Sequence, residues 1–177
     1  MKKTLVKYLV LIAFMISGCS ADLKTKDIAK KELQDHATVL IENTFDLRYV
    51  ENHAIAFGFL GFIKNKNIRI PIIFILTISA TLLVFWMIWK IRDKRFRLLV
   101  PFFIMIGGAY GNIIDRMFNG FVTDFFHFHY QYKYNFPVFN LADILVNIGL
   151  ILIILQWKDF KPIFDNLFEN EKSLIAD

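Results

Sequence analysis

Four long apolar segments constrain the fold of this chain more than any other feature of its sequence. They cover residues 4–21, 70–89, 98–114 and 138–157, and each has about the 17–25 residues that a helix needs to cross a bilayer. A soluble domain would not carry so many apolar runs of this length, and 56% of the 177 residues are hydrophobic. The sequence therefore predicts a single all-α membrane domain, residues 1–177, with four transmembrane helices.

Basic residues predict the orientation of these helices. The short link between the second and third apolar segments contains five of them: Lys90, Arg92, Lys94, Arg95 and Arg97. Further lysines precede the first segment and follow the fourth, and by the positive-inside rule such flanks lie in the cytoplasm. The eight Lys and Arg of residues 22–69 count for less, because the rule applies best to short loops. We therefore expect cytoplasmic N- and C-termini, membrane lipids around the helices, and no nucleic-acid partner despite the net charge of +5.

The first apolar segment contains a lipobox-like sequence that ends at Cys19. On one interpretation residues 1–18 are removed as a signal peptide and Cys19 carries lipid, which would make the chain a lipoprotein with a structural role. A lipoprotein is normally soluble after its anchor, whereas three more apolar segments follow here. We therefore favour a retained first transmembrane helix with an unmodified Cys19. Since this is the one cysteine of the chain, no internal disulfide is expected.

Residues 38–62 have a different pattern from the apolar segments. Residues 45–49 alternate apolar and charged side chains, which is the period of a β-strand. Asn52 interrupts the alternation, and we interpret it as a turn residue rather than as an active-site amide. Residues 54–62 are small and apolar. The segment predicts a small extracytoplasmic sheet on the membrane surface, followed by a short amphipathic piece, between the first two helices.

The third apolar segment ends in small and polar residues. Gly107 and Gly111 have the small-xxx-small spacing that lets another helix approach closely. Four residues recur at helical spacing and share one face: Gly108, Asn112, Asp115 and Arg116. A carboxylate near the C-terminus of a helix is unfavourable, so we expect Asp115 to have a cationic or hydrogen-bonding partner.

Two further polar patterns lie at the ends of apolar segments. At the start of the fourth, Asn140 and Asp143 have the spacing of the N-cap and N3 residues of a capping box. Asn147 continues this polar stripe into the helix, which a cap alone does not explain. After the first segment, Asp22 and Lys26 are four residues apart, so a continuing helix would place them on one face as a pair.

Three aspartates near one membrane surface are candidates for catalysis: Asp115, Asp124 and Asp143. Two carboxyl groups held within a few ångströms share a proton, so that one acts as a base on water while the other protonates a substrate carbonyl. Asp115 is adjacent to Arg116 and is best interpreted as part of a structural ion pair. Asp124 and Asp143 are then left as the pair.

Two other chemistries stay open at this point. His127 and His129 could join Asp124 and Asp143 in binding zinc, although the spacing is weak and no cysteine takes part. A small transporter or proton relay within the membrane would use a different set: Asp115, Arg116 and Asp143. The relay predicts polar residues deep in several spans, but the first two apolar segments contain almost none.

Three motifs resemble those of the bacterial lipoprotein signal peptidases (signal peptidase II), a family of membrane aspartyl peptidases. The family's G-G-A-x-G-N-x-x-D-R is matched by residues 107–116, its G-x-V-x-D-F by residues 120–125, and its F-x-x-F-N-x-A-D by residues 136–143. The likeness covers most of the chain, from Asp22 to about Gly149. Two departures occur: Ala54 replaces the glycine of the family's N-x-G-x-A-F, and Asp22-Leu23 stands where the family has D-Q.

The resemblance implies that Asp124 and Asp143 are the catalytic pair. It also implies a supporting or substrate-binding set: Asp22, Lys26, Asn52, Gly108, Asn112, Asp115, Arg116 and Asn140. The implied substrate is a prolipoprotein whose lipobox cysteine already carries diacylglycerol, and the cut falls just before that cysteine. We expect no cofactor and no metal, a monomer in the bacterial inner membrane, and an active site at the extracytoplasmic face.

Overall fold

The computed structural model describes residues 2–53, 63 and 65–165. Their elements, in chain order, are α1 (Lys2–Glu32), β1 (Thr38–Ile41), β2 (Phe45–Asn52), α2 (Lys66–Ile91), α3 (Phe96–Asn119), β3 (Val122–Tyr130), β4 (Tyr134–Asn135), α4 (Leu141–Leu155) and α5 (Trp157–Asp165). The strands form one antiparallel sheet in the order β1-β2-β3-β4. The described chain is therefore a layer of helices with a small sheet at one end.

Three of these helices are each long and apolar enough to cross a membrane: α1, α2 and α3. Helix α4 reaches that length only together with α5, from which it is bent by 81°. The described part of the chain thus has three transmembrane candidates, or four if the bent pair is one span. In place of a continuous fourth span over residues 138–157, the structure has a helix that begins at Leu141 and breaks after Leu155.

Helix α3 lies at the centre of the helical layer and packs against α1, α2 and α4. Side chains from all these neighbours and from α5 join it in one buried apolar core, which includes Leu11, Met87, Ile91, Leu99, Phe102, Ile106 and Phe160. Helices α1 and α2 instead expose large aliphatic side chains, among them Leu5, Leu9, Ile75, Leu82 and Leu83. Long apolar surfaces of this kind are suited to contact with lipid chains.

The helices extend beyond the apolar segments that predict them. Helix α1 runs to Glu32 instead of ending near residue 21, so Asp22 and Lys26 lie within it. Ala29, in its last turns, packs against Phe125 of β3, and so does Leu33, which directly follows the helix. The extension therefore connects the membrane part of the molecule to the sheet. Hydrophobicity alone did not predict it, because these turns are stabilised by buried contacts with other elements.

Gly120 turns the chain from α3 into β3. It lies at the C-terminal cap of the helix with φ 79°, and its N–H donates to the Arg116 carbonyl at 2.9 Å. A side chain is disfavoured in this left-handed conformation, which glycine adopts freely. A Cβ there would meet nothing within 4 Å, so the backbone angle accounts for the glycine. The turn places Asp124 five residues after Asn119, the last residue of the helix.

The two central strands, β2 and β3, contain an irregularity that shifts the register between them. Asp46 lies opposite His127, and Val50 lies opposite Asp124. Between these pairs β2 advances by four residues and β3 by three, so β2 has one extra residue, as in a β-bulge. Arg48 hydrogen-bonds Asp46 on one face of β2, while Leu47 and Tyr49 pack with Phe125 on the other.

The sheet differs from the expected one in its composition. Residues 117–137, expected to be a loop, supply β3 and β4. Asn52 is the last residue of β2, paired with Val122, so its interpretation as a turn residue is wrong. Both errors arise because strand pairing between distant segments is not visible in a local pattern. The expected amphipathic piece at residues 54–62 lies outside the described residues.

Phe139 connects β3 to the start of α4. Its carbonyl accepts from the N–H groups of Phe125 and Phe126 at 3.0 and 2.8 Å, and its N–H donates to the Phe126 carbonyl at 3.1 Å. This backbone pairing continues the sheet to the residue directly before Asn140. As a result, the first turn of α4 lies beside the part of β3 that carries Asp124.

Candidate active site

Two carboxyl groups, Asp124 on β3 and Asp143 in the first turn of α4, are connected through two amide side chains. Asn140 Nδ2 donates to Asp124 Oδ1 at 2.6 Å and to Asn112 Oδ1 at 3.1 Å. Asn112 Nδ2 in turn donates to Asp143 Oδ1 at 3.0 Å. The four side chains form a continuous hydrogen-bonded chain between β3, α3 and α4.

A capping box at the start of α4 fixes Asn140 and Asp143. Asn140 Oδ1 accepts from the Asp143 N–H at 3.0 Å, and Asp143 Oδ2 accepts from the Asn140 N–H at 3.2 Å. The predicted box is therefore confirmed. It leaves Asn140 Nδ2 and Asp143 Oδ1 for the chain of hydrogen bonds. Asn147 is exposed and donates to the Asp143 carbonyl at 2.8 Å, so it takes no part in that chain.

Asp124 is almost completely buried, with 1% of its surface exposed. Its second oxygen, Oδ2, accepts from Asn52 Nδ2 at 2.8 Å. Burial and then the negative charge of Asp143 raise the pKa of Asp124 to about 7, although the hydrogen bonds from Asn52 and Asn140 act in the opposite direction. The carboxyl group can therefore keep its proton far above the pH at which an ordinary aspartate loses it.

A group of buried charges lies beside the amides. Lys26 Nζ donates to Asn112 Oδ1 at 2.7 Å and pairs with Asp22 Oδ2 at 2.7 Å, which confirms the predicted pair. Asp22 Oδ1 accepts from the Ala142 N–H at 2.7 Å. A buried ion pair is tolerated when further hydrogen bonds satisfy its remaining atoms, and these connect α1 to both α3 and α4.

Asp115, a carboxylate near the C-terminal end of α3, has the hydrogen-bonding and cationic partners expected for it. Its Oδ1 accepts from Asn119 Nδ2 at 2.6 Å, and its Oδ2 accepts from the Thr123 N–H at 2.6 Å. Lys26 Nζ is 3.7 Å from Oδ2. Because Thr123 directly precedes Asp124, Asp115 holds the start of β3 and thereby the position of Asp124. The sequence did not predict a role for Asn119, although its spacing of four residues from Asp115 allowed one.

Arg116 is partly buried at the same end of α3. Its charge interacts with three carboxylates: Asp115, Asp124 and Asp143. With it, the catalytic pair and the supporting residues implied by the resemblance gather where α1, α3 and α4 meet one end of β2 and β3.

Three glycines of α3 allow this close packing. A Cβ added to Gly107 would lie 2.8 Å from a carbonyl oxygen of α1, and one added to Gly108 would lie 2.5 Å from the Ala142 carbonyl oxygen of α4. A Cβ at Gly111 would collide with the Asp22 carboxylate. The close approach predicted from Gly107 and Gly111 is confirmed, with α1 as the partner. Asn112 is thereby held between α1 and α4.

The histidines of β3 do not belong to this site. Asp124 accepts hydrogen bonds from Asn52 and Asn140, whereas His127 hydrogen-bonds Asp46. Among the described residues, the ligand atoms that lie close together are those of Asp46, His127 and His129. The zinc set considered from the sequence, Asp124 with both histidines and Asp143, is therefore not assembled. The contact with Asp46 was not predictable from the local sequence, because it depends on the pairing of β2 with β3.

The chain is similar to known proteins over most of its length. A family model described as Signal peptidase (SPase) II matches residues 12–158. Relatives named lipoprotein signal peptidase include those of Syntrophotalea carbinolica, 35% identical over 90% of this chain and 96% of the relative, and of Haemophilus influenzae, 33% identical over 96% and 89%. A solved structure described as a bacterial membrane enzyme is 27% identical, with a TM-score of 0.69 over 86% of this chain and 89% of the other.

Proposed function

The chain belongs to the signal peptidase II family, and we propose that Asp124 and Asp143 are its catalytic pair. The protein is an aspartic peptidase of the bacterial inner membrane that removes signal peptides from prolipoproteins. The observation that supports the pair is the chain of hydrogen bonds through Asn140 and Asn112, which connects a carboxyl group of pKa about 7 to a second carboxyl group. Such a pair suits general acid–base catalysis.

In the proposed reaction Asp124 is the acid and Asp143 the base. Asp143 takes a proton from a water molecule as the water oxygen attacks the scissile carbonyl carbon, and Asp124 gives its proton to the carbonyl oxygen. When the resulting diol breaks down, Asp143 gives its proton to the departing amine nitrogen and a diol hydroxyl returns a proton to Asp124. Both carboxyl groups end as they began, and no covalent intermediate forms.

The amides of Asn112 and Asn140 explain how the two carboxyl groups keep different protonation states. An amide donor holds a carboxyl group in place without adding charge, so the pKa of Asp124 stays raised although the charges of Lys26 and Arg116 also act on it. The nearest lysine, Lys26, is largely neutralised by Asp22 and Asp115. We propose that Asn52 and Arg116 act with these amides to orient the substrate backbone.

We propose that the substrate binds where the sheet meets the helices. The sheet and the segment before α4 expose aromatic side chains of the kind found at membrane interfaces: Phe128, Tyr130, Tyr134 and Phe136. A cysteine that carries diacylglycerol would keep its acyl chains in the lipid and its peptide bond at headgroup level, near Asp124 and Asp143. The sheet would then cover the peptide from above, and cleavage just before this cysteine would follow.

The proton-relay alternative has less support. A relay needs polar groups at successive depths in the membrane. Among the described residues, the buried polar side chains of the helices are few and lie near the sheet: Asp22, Lys26, Asp115 and Asn140. This grouping at one end is what a peptidase at the membrane surface requires.

The proposed orientation is tested with reporter fusions. A reporter that is active only outside the cytoplasm should work when fused after His129, in β3, and should be silent after Lys94, in the basic link between α2 and α3. Activity after Lys94 and silence after His129 would place the catalytic pair in the wrong compartment and would contradict the proposal.

The activity is tested with the purified protein and a diacylglyceryl prolipoprotein, by following the shortened product. Asp124→Asn and Asp143→Asn should each abolish cleavage, while the protein stays folded and inserted. Asp27→Asn is the matched control, because Asp27 is an exposed carboxylate of α1 that pairs with Lys31. Equal rates for Asp143→Asn and Asp27→Asn would show that Asp143 is not catalytic.

A further inference from the structure

Strands β2 and β3 bring two histidines and an aspartate together, three and five residues along β3 from Asp124. Asp46 lies directly opposite His127 in the strand register, and His129 follows two residues later on the same face. Their exposed fractions are 0%, 3% and 5%. One ligand atom from each lies within 4.8 Å of the others. The three side chains therefore form a buried cluster of possible metal ligands that the catalytic proposal does not use.

One nitrogen atom of this cluster has no hydrogen-bond partner. It is His129 Nε2, which is buried and makes no hydrogen bond to any described residue. Asp46 Oδ2 lies 3.7 Å from it, too far for a hydrogen bond. The separation is close to the roughly 3.3–3.5 Å between two ligand atoms bound tetrahedrally to one Zn²⁺ at about 2.0–2.1 Å. The other histidine, through Nδ1, is 2.7 Å from Asp46 Oδ1, and an ion between them would widen that distance.

We propose that Asp46, His127 and His129 bind a divalent transition-metal ion of the Zn²⁺ class. Imidazole nitrogens with one carboxylate oxygen are ligands that such ions prefer, whereas Mg²⁺ and Ca²⁺ prefer oxygen alone. A water molecule would supply the fourth ligand. Neither Asp124 nor Asp143 is among these three ligands, so the ion would not take part in the proposed aspartyl chemistry. It would fix β2, which carries Asn52, to β3, which carries Asp124.

Binding requires two local changes that the structure permits. Arg48 Nη2 now lies 2.7 Å from Asp46 Oδ2, and its side chain is 35% exposed, so it can turn to solvent as the ion replaces its charge. The Tyr132 N–H donates to His129 Nδ1 at 3.2 Å. Coordination through Nε2 moves the ring proton to Nδ1, so this hydrogen bond breaks. Residues 131 and 132 both have positive φ angles, 51° and 54°, and their turn would have to rearrange.

The proposal is tested on the full chain in detergent, stripped with a chelator and then titrated with ZnCl₂ in a calorimeter. One Zn²⁺ per chain should bind and should raise the melting temperature. His127→Ala and His129→Ala should weaken binding by more than about tenfold. His36→Ala, which removes an exposed histidine before β1, is the matched control and should bind as the wild type does.

A second measurement keeps the test independent of the folding of the variants. Co²⁺ bound to the wild-type chain should give the intense visible bands of a four-coordinate site, and one equivalent of Zn²⁺ should remove them. Weak six-coordinate bands, or equal Zn²⁺ affinity for the His129→Ala and His36→Ala proteins, would overturn the proposal. Cleavage activity is not part of this test, so its outcome is independent of the catalytic assignment.

Discussion

Asp46 and Asp124 lie on neighbouring strands and are buried to the same degree, yet their carboxyl groups are held in opposite states. Burial raises the pKa of Asp124, and the charge of Asp143 adds to it, giving about 7. Burial also acts to raise the pKa of Asp46, but hydrogen bonds and charge from Arg48 and His127 outweigh it and leave the pKa below its ordinary value. Burial acts in the same direction on both carboxyl groups, so the difference between them comes from their partners.

The two aspartates have different partners although they lie within one small sheet. Asp46 contacts the Arg48 guanidinium and His127, whereas Asn52, six residues later in β2, donates to Asp124. Asp124 therefore receives neutral amide donors, while Asp46 receives a cation. A carboxyl group with neutral donors can serve as an acid near neutral pH, whereas one paired with a cation serves structure.

The largest expected effect that separates the two aspartates is on cleavage. Asp124→Asn removes the acid and should reduce the initial rate on a diacylglyceryl prolipoprotein by about 10²–10⁴-fold or more. Asp46→Asn should stay within about tenfold of the wild type when rates are corrected for folded protein, since it acts through the strand pairing alone. A similar loss in both variants would remove the distinction between the two aspartates.

The next effect is on stability, and here Asp46 is the sensitive residue. Asp46→Asn leaves the Arg48 guanidinium without its carboxylate and should lower the free energy of unfolding by roughly 1–3 kcal/mol at neutral pH. Because the pKa of Asp46 is lowered in the folded protein, this contribution is present above about pH 4 and is lost as the pH falls through the folded pKa. Thermal unfolding of both proteins at pH 7 and below pH 4 measures it, and a constant difference between them would contradict the ion-pair account.

Asp124 should show the opposite dependence on pH. Its raised pKa means that the folded chain binds its proton more tightly than the unfolded chain, so stability falls as the pH rises from about 4 to about 7. Asp124→Asn removes that part of the decline, and the variant should gain stability relative to the wild type at pH 8 compared with pH 4. Melting temperatures at the two values test this. A relative loss for the variant at pH 8 would mean that Asp124 is held ionised.

The smallest expected effect on cleavage is that of the two histidines that lie beside Asp46. His127→Ala and His129→Ala should remain active, and a chelator should not stop the reaction, because the proposed chemistry runs through the two carboxyl groups alone. Cleavage assays with and without EDTA measure this. If EDTA or these two changes stop cleavage while Asp143→Asn does not, the reaction depends on metal and the aspartyl mechanism is wrong.

The catalytic candidates were predictable from the sequence because each lies in a dense local motif. The spacing of Asn140 and Asp143 predicts a capping box, and that of Asp22 and Lys26 predicts a pair; the structure has both. Helical spacing likewise predicts that Asn112 shares a face with residues that approach α1 and α4. In each case the relevant geometry is set within one turn of a helix, so local sequence determines it.

The Asp46 cluster was not predictable in the same way. It depends on which residues of β2 lie opposite which residues of β3, and this register is set by pairing between distant segments of the chain. Asn52 was misinterpreted for the same reason, since its role as the end of a strand appears only when Val122 lies opposite. The bend between α4 and α5 also depends on tertiary packing, because the apolar pattern of residues 138–157 is continuous.

The most direct test of the catalytic pair compares the single variants with the double variant. If Asp124 and Asp143 act as one unit, the initial cleavage rate of the Asp124→Asn, Asp143→Asn double variant should be little below that of either single variant, since residues that act together are strongly non-additive. Asp27→Asn should add nothing to any of them. Losses that multiply in the double variant, or a single variant that still cleaves at the wild-type rate, would show that the two carboxyl groups do not form one catalytic unit.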